Sequence, residues 1–433
     1  MALDVQRNWD VSMADNLKSV KAKSLRREAG ELTPSKTQVQ PYWSYAPPLK
    51  PIYLPDEIIL QIVEYLRHAD NSQYALYACC LLSRQWLCIA IPYLYEHPNL
   101  EGNRFDPFIK AICPSINLHV KEAPLARLVK VLDMGRLVHQ GSKSITARLL
   151  GRVKENLEEF VAPQVSFALN CFPALAKCKK LKRLDLSLVT DVGGLQTLFN
   201  TVKGLPDLVE LRLPRSSGFG TRVNPGDVVW PPRLRRLFLS GALDANFLQG
   251  IVQLPKTLEE LTVEHLPLAK GSAVRMLLET IALEGVPLRY LKLSNMPRLS
   301  DTSLDNTLAL LPNLETLSIS VDYITSNLID TDFQNLHPGD LKIRVLELTN
   351  SGNPGVEDKL TPVDILIAME AKVVPLLRQV RVAKTLGWRL PSTADEFDAL
   401  DDELRQQATD QDALAEPSAE IKKIRPGAWE IVS

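Results

Sequence analysis

From about residue 128 the chain writes one apolar hexad again and again. The first apolar position of each copy of Leu-x-x-Leu-x-Leu falls at Val129, Leu157, Leu181, Leu208, Leu234, Leu258, Leu288, Leu314, Ile343 and Leu377, in steps of 28, 24, 27, 26, 24, 30, 26, 29 and 34 residues. One hexad alone is a chance cluster of leucines, whereas ten at near-constant spacing make a period. A unit this short cannot bury its apolar face by itself and must stack on its neighbours. The expected architecture is an α/β solenoid, with each hexad a short parallel strand on the concave side and the remainder returning over the convex side as a helix. The returns carry the helical signal, because Leu195, Leu198, Phe199 and Val202, and again Val274, Leu277, Leu278 and Ile281, recur at i, i+3, i+4 and i+7. Thr361-Pro362 reads as the start of another, ahead of Val363, Leu366 and Ile367. The copies at Val129, Leu157 and Leu377 match the hexad least well.

A different pattern precedes the repeats. In Tyr-Leu-Pro-Asp-Glu-Ile from Tyr53, proline suits a helix start because it loses no hydrogen bond there, and Asp56 and Glu57 sit where the helix dipole favours negative charge. Ile58, Ile62 and Leu66 follow at four-residue steps as one apolar stripe, which Ile59 and Val63 widen. After a polar break at Asp70-Asn71-Ser72, a second apolar run covers Leu76 to Leu82. A third segment then opens at Ser83-Arg84-Gln85-Trp86, which Pro92 is expected to end or kink. Three short helices bury little surface alone, so the stripe calls for a partner.

The order Leu-Pro-x-Glu-Ile, then Ile and Leu at four-residue steps, then Leu-Ser-Arg-x-Trp resembles the F-box family, especially fungal members with a Leu-Tyr-Glu-x-Pro exit like that from Leu94 to Pro98. The resemblance implies docking on a Skp-type adaptor of a cullin-based ubiquitin ligase, through Leu54, Pro55, Ile58, Ile62, Leu66 and Trp86. Leu94 and Tyr95 fall by position to the junction with the repeats. Two departures stand out: extra residues between Asp70 and Trp86, and Cys79-Cys80 where β-branched residues are common. The hexads in turn are similar to leucine-rich repeats. Val189 to Leu195 and Leu299 to Leu304 look like the Leu/Ile-Thr-Asp-x-x-Leu turn of the cysteine-containing class, which often follows an F-box; the class cysteine is replaced here by residues such as Ser294 and Met296.

Strand alternation names the displayed residues. The fourth and sixth hexad positions point into the core, so the third and fifth face the concave surface. There Arg183, Arg212, Arg236 and Lys292 are expected to converge, with Phe238 and Tyr290 between them as aromatic anchors and the insert from Pro214 to Pro232, carrying Arg215, Arg222 and Trp230, rising beside them. Guanidinium clusters suit a phosphorylated or acidic protein segment, against the plainer alternative of a solvated surface with alternating charges.

The remaining features exclude more than they suggest. Lys and Arg number 50 against 51 Asp and Glu, so no global field favours nucleic acid. The six cysteines show no Cys-x-x-Cys pair, Gly218-Phe-Gly220 lacks the rest of a phosphate loop, and six scattered histidines offer no triad. Glu158-Glu159 and Glu259-Glu260 occupy equivalent places in two repeats, which marks architecture, not acid–base chemistry. No cofactor, metal or catalytic constellation is expected. No run of eighteen apolar residues and no signal-like start occurs, so the expectation is a non-membrane protein of the cytoplasm and/or nucleus.

The division expected is a disordered tail over 1–50 with a dispersed basic cluster, an F-box over 51–99, a helical linker or cap over 100–127, about eight to ten repeats over 128–390, and an acidic tail or cap over 391–433. The function implied is that of a non-catalytic substrate-recognition subunit of a Skp–cullin–F-box ubiquitin ligase, holding the adaptor, and through it a cullin, at one end and an unidentified protein substrate on the repeats. An adaptor-bound scaffold outside any cullin ligase is the alternative. A leucine-rich-repeat GTPase regulator is a third reading, which leaves the F-box unexplained.

Overall fold

The computed structural model describes residues 53–114, 124–137, 142–190, 195–215, 228–243, 247–248, 254–300, 302–330, 339–350, 359–414 and 420–431. The expectations for residues 1–50 and for Arg222 lie outside them. Pro55–Ser433 forms one unit.

It opens with three helices, α1 (Asp56–Arg67), α2 (Ser72–Leu82) and α3 (Arg84–Glu96). Pro55 stands just ahead of α1 with φ −57° and ψ 151°, and its carbonyl accepts the Ile58 and Ile59 amides at 3.1 and 3.2 Å. Asn71 turns the chain in the left-handed region at φ 59°. The Ser83 hydroxyl caps α3 by accepting from the Trp86 amide at 3.3 Å. Of the two outcomes expected at Pro92, an end or a kink, the helix does not take the first. The helix continues to Glu96, losing the one backbone bond that proline cannot donate while packing against both α1 and α2.

Helix α4 (Phe105–Ile112) follows, burying Phe105, Phe108 and Ile112, with Tyr95 of α3 stacked on Phe108 at a centroid distance of 6.3 Å. Then comes one parallel sheet of eleven strands in sequence order among the described residues: β1 (Val131–Asp133), β2 (Glu159–Val161), β3 (Arg183–Asp185), β4 (Glu210–Arg212), β5 (Arg236–Leu239), β6 (Glu260–Glu264), β7 (Tyr290–Ser294), β8 (Thr316–Ser320), β9 (Val345–Thr349), β10 (Gln379–Ala383) and β11 (Gly427–Ile431). The returns include helices α5 (Lys143–Val153), α6 (Leu195–Val202), α7 (Gly271–Leu283) and α8 (Pro362–Glu370), the last capped by Thr361 and Asp364. The chain is an α/β solenoid. All ten hexads keep their first, fourth and sixth residues at 3% exposure or less, including the three that match least well in sequence.

The backbone ladder has a simple rule. The carbonyl of each second hexad residue accepts two amides from the next repeat: Lys130 from Glu158 and Glu159, Glu158 from Lys182 and Arg183, and so on to Arg344 with Arg378 and Gln379. At the front, the Lys130 amide donates to the Glu96 carbonyl at 3.0 Å, so the last turn of α3 occupies the place of a preceding strand. The Lys130 ammonium also reaches the Glu96 carboxylate at 2.9 Å, which in turn holds Arg67 of α1 at 3.4 Å. Gln73 of α2 completes the joint by donating to the carbonyls of Leu94 and His97.

At the far end, residues beyond 391 form helix α9 (Ala394–Leu414) and strand β11. Helix α9 buries Phe397, Leu400, Leu404 and Ala408 along one face. Arg378, 3% exposed, is clamped by both oxygens of Asp412 at 2.7 and 3.0 Å. Strand β11 closes against α9 through the Ala428 amide and Asp401 at 2.7 Å. Gly427 has φ 119°, and a Cβ there would stand 2.3 Å from the Asp401 carboxylate, so only glycine permits this approach. Because Leu404 is fully buried, Leu404→Ala is expected to cost about 2–5 kcal/mol in urea-induced unfolding.

Candidate functional site

Two surfaces carry the residues singled out by sequence. On α1, the helical rotation splits the apolar positions into two stripes. Ile59 and Val63 are fully buried among α1, α2 and α3, whereas Ile58 is 42% exposed and Ile62 and Leu66 are half-buried on the adjoining face. The expectation that Ile59 and Val63 widen the outward stripe is therefore corrected: they are its anchor to the bundle. Trp86 is half-buried in the first turn of α3, and the neighbouring Gln85 donates to Asp56 at 2.6 Å, drawing the first turns of α1 and α3 together. Pro55 is exposed and Leu54 half-buried.

The apolar surface extends beyond those six residues. Leu81 and Leu82 at the end of α2 are 67% and 65% exposed, and Tyr65, Tyr74 and Tyr77 project from α1 and α2. Sequence carried the signal, because Ser72 to Leu82 is apolar around most of its circumference, yet the helix buries only Leu76 and Cys79. A helix apolar on several faces with one face covered has partner surface to spare. Cys80, half-buried beside it, has its thiol pushed up to about 11, first by burial and then by Cys79, which leaves it protonated and unreactive near neutrality.

The second surface is the sheet face opposite the helices. Strand register places the third hexad residues in one line, Arg183, Glu210, Arg236, Glu260, Tyr290 and Thr316, and the fifth in another, Asp185, Arg212, Phe238, Thr262, Lys292 and Ser318. The six expected residues Arg183, Arg212, Arg236, Phe238, Tyr290 and Lys292 thus share one face. The arginines do not form a bare cationic slot, however. Glu210, 3% exposed, lies beneath all three, within 3.3 Å of Arg183 Nε, 2.8 Å of Arg212 Nε and 3.3 Å of Arg236 Nη2. Asp185 adds a contact to Arg212 at 3.6 Å and Glu159 one to Arg183 at 3.5 Å. Adjacent strands carry opposite charges, the arrangement that stabilises cross-strand neighbours. Lys292 is likewise paired, with Glu264 at 3.3 Å.

Aromatic residues lie where the alternation put them. The Arg212 guanidinium stacks over Phe238 at 4.1 Å from the ring centre. Burial pushes the Tyr290 phenol up to about 12, with Glu347, Glu260 and Glu264 adding to the effect. Burial also raises the Glu260 carboxyl above its usual range, and Arg236 offsets only part of that. Trp230 departs from expectation: it is 8% exposed and meets Phe199 edge-on at 5.3 Å, so it belongs to the core and does not rise beside the sheet face.

Beneath the joint between α3 and the first repeat lies a cavity of about 430 Å³, lined in part by Arg67, Gln73, Tyr93, Glu96 and Arg136. Arg136 pairs with Glu101 at its rim. No helix among the described residues is long and apolar enough to cross a membrane.

Residues 52–101 match the family model described as F-box-like. The F-box protein YDR306C of Saccharomyces cerevisiae is 32% identical over 332 residues, covering 75% of this chain and 66% of that protein. Protein pof5 of Schizosaccharomyces pombe is 30% identical over 355 residues, covering 81% of this chain and 96% of that one. The chain therefore spans just under two thirds of the first relative and nearly all of the second. Among solved structures, a TLR13–ssRNA13 complex aligns over 59% of this chain and 41% of its own, at 16% identity and a TM-score of 0.34.

Glu260 offers a pH test of the sheet face. Its folded-state value lies above that of a free glutamate, about 4.3, so the folded form holds its proton longer, and ionising the group above that range costs stability. Glu260→Gln is expected to raise the melting temperature relative to the parent at pH 7 and to leave it unchanged at pH 4, as read by calorimetry at both values.

Proposed function

The chain belongs to the F-box proteins, and we propose that within this family it is the substrate-recognition subunit of a Skp–cullin–F-box ubiquitin ligase. Its three-helix unit docks on the Skp-type adaptor, and its sheet face holds the protein to be ubiquitinated. The observation that carries the reading is the outward apolar surface of α1 and α2, where Ile58, Leu81 and Leu82 remain exposed although every hexad in the same unit is closed. An apolar surface of this kind is a partner surface in a stable protein. The family is generally one of non-catalytic adaptors, and the proposed contribution here is likewise positional: holding substrate near a charged conjugating enzyme turns a bimolecular encounter into a local one.

The welded joint supports the same reading. Glu96 ties α1, α3 and the first repeat through Arg67 and Lys130, so a substrate held on the sheet stands at a fixed offset from the adaptor. For transfer of ubiquitin to a limited set of lysines, a fixed offset is a functional property.

Ile58→Asp combined with Trp86→Ala is expected to abolish co-purification of a Skp-type adaptor while leaving the circular dichroism spectrum unchanged. Undiminished adaptor binding sinks the proposal. With the parent chain, co-elution of a cullin together with the adaptor is the expected result; adaptor without cullin points instead to a scaffold working outside the ligase.

A further inference from the structure

On the sheet face, Arg212 is held in a fixed geometry with part of its guanidinium exposed. We propose that Arg212 anchors a single carboxylate side chain, aspartate or glutamate, of the protein bound there; this rests on the sheet face being the substrate surface. The guanidinium is fixed on three sides. Its Nε donates to Glu210 at 2.8 Å and lies 3.6 Å from Asp185, and its plane rests on Phe238 at 4.1 Å. Both carboxylates are themselves held: Glu210 by Arg183 and Arg236, and Asp185 by the backbone amide and hydroxyl of Ser187 at 2.9 and 2.7 Å. Among the described residues, the polar contacts of the Arg212 side chain use Nε and its ring contact uses the flat face, and the side chain is 33% exposed.

Neither terminal nitrogen of Arg212 makes a hydrogen bond among the described residues. Guanidinium supplies five N–H donors in a planar fork, and the two terminal nitrogens match the two oxygens of a carboxylate. Because Glu210 and Phe238 already hold the fork, a ligand does not have to order it, and that is the condition under which a charged hydrogen bond adds most to affinity.

Charge balance selects the ligand. Three arginines, Arg183, Arg212 and Arg236, face four carboxylates, Glu159, Asp185, Glu210 and Glu260. A phosphate dianion would bring two negative charges into a cluster with no positive excess, close to a buried glutamate. A monoanion brings half that charge and fits the fork in both length and number of acceptors. The half-buried Phe238 next to it, and Tyr290 two strands further on, favour an apolar neighbour to the acidic residue.

Random peptide display on the full-length chain tests the assignment. Selected peptides are expected to concentrate Asp or Glu at one position beside an apolar residue, and Arg212→Ala to abolish that preference. By fluorescence anisotropy, a synthetic peptide of the selected sequence should bind Arg212→Ala at least ten-fold more weakly. Changing its acid to the amide should cost the parent a similar factor but cost Arg212→Ala almost nothing. Arg212→Lys, which keeps the charge and lacks the fork, should recover only part of the binding and guards against misfolding as the explanation. The proposal is overturned by peptides without an acidic preference, by equal binding to Arg212→Ala, or by tighter binding when phosphoserine replaces the acid. These outcomes are independent of adaptor co-purification, so failure of the ligase reading and failure of this one are told apart.

Discussion

Everything in this molecule depends on the rule that no repeat can satisfy its own backbone. Each second hexad residue offers a carbonyl that only the next repeat can fill, and each strand presents amides that only the previous repeat can accept. The first, fourth and sixth residues obey the same rule in apolar terms, since they are dry only while neighbours stand on both sides. Such a stack has no natural end, and terminating it requires elements of another kind. The two ends differ accordingly. Helix α3 of the F-box lends a carbonyl and a carboxylate to the first strand, whereas at the other end α9 lays a helical face over the last repeat and clamps Arg378 with Asp412. The F-box is thus part of the solenoid's closure as well as its proposed docking unit.

The polar half of the sheet follows a related economy. Charged residues facing the open side alternate in sign from strand to strand, and a single buried glutamate, Glu210, serves three arginines. A pair this close to the sheet contributes little on its own when its partners are partly exposed, as these are. Its effect is geometric: it fixes which nitrogen of each arginine is spent on the buried carboxylate.

Much of this was legible in sequence. The period fixed the strands, because leucine at the first, fourth and sixth positions has no other use at that spacing, and alternation then placed Arg183, Arg212, Arg236, Phe238, Tyr290 and Lys292 on one face. Family motifs located the three helices. What escaped was decided by packing between distant residues. Strand β11 could not be seen because its first and sixth positions are Arg425 and Glu430, polar where the hexad calls for buried apolar residues. Trp230 was assigned to a surface insert although Phe199, thirty-one positions earlier, provides it with a core contact. Pairing of the arginines by Glu210 also lay beyond a column-by-column reading, since glutamate in a strand reads as exposed until its neighbours are known. Ile59 and Val63 differ from the outward stripe by angle: one residue along a helix is about 100°, enough to move a side chain from solvent to core.

The hydrogen bond from Lys130 to Glu96 makes the F-box the zeroth member of the series. Distances along the sheet are then counted, not tuned. Arg212 on β4 lies three strand spacings from β1, or about 14 Å at roughly 4.8 Å each. Duplicating or deleting one repeat upstream would shift every later column residue by one whole step relative to the F-box, with no intermediate setting available. Point substitutions in the columns change what the face displays, and only a change in repeat number changes how far from the F-box it is displayed.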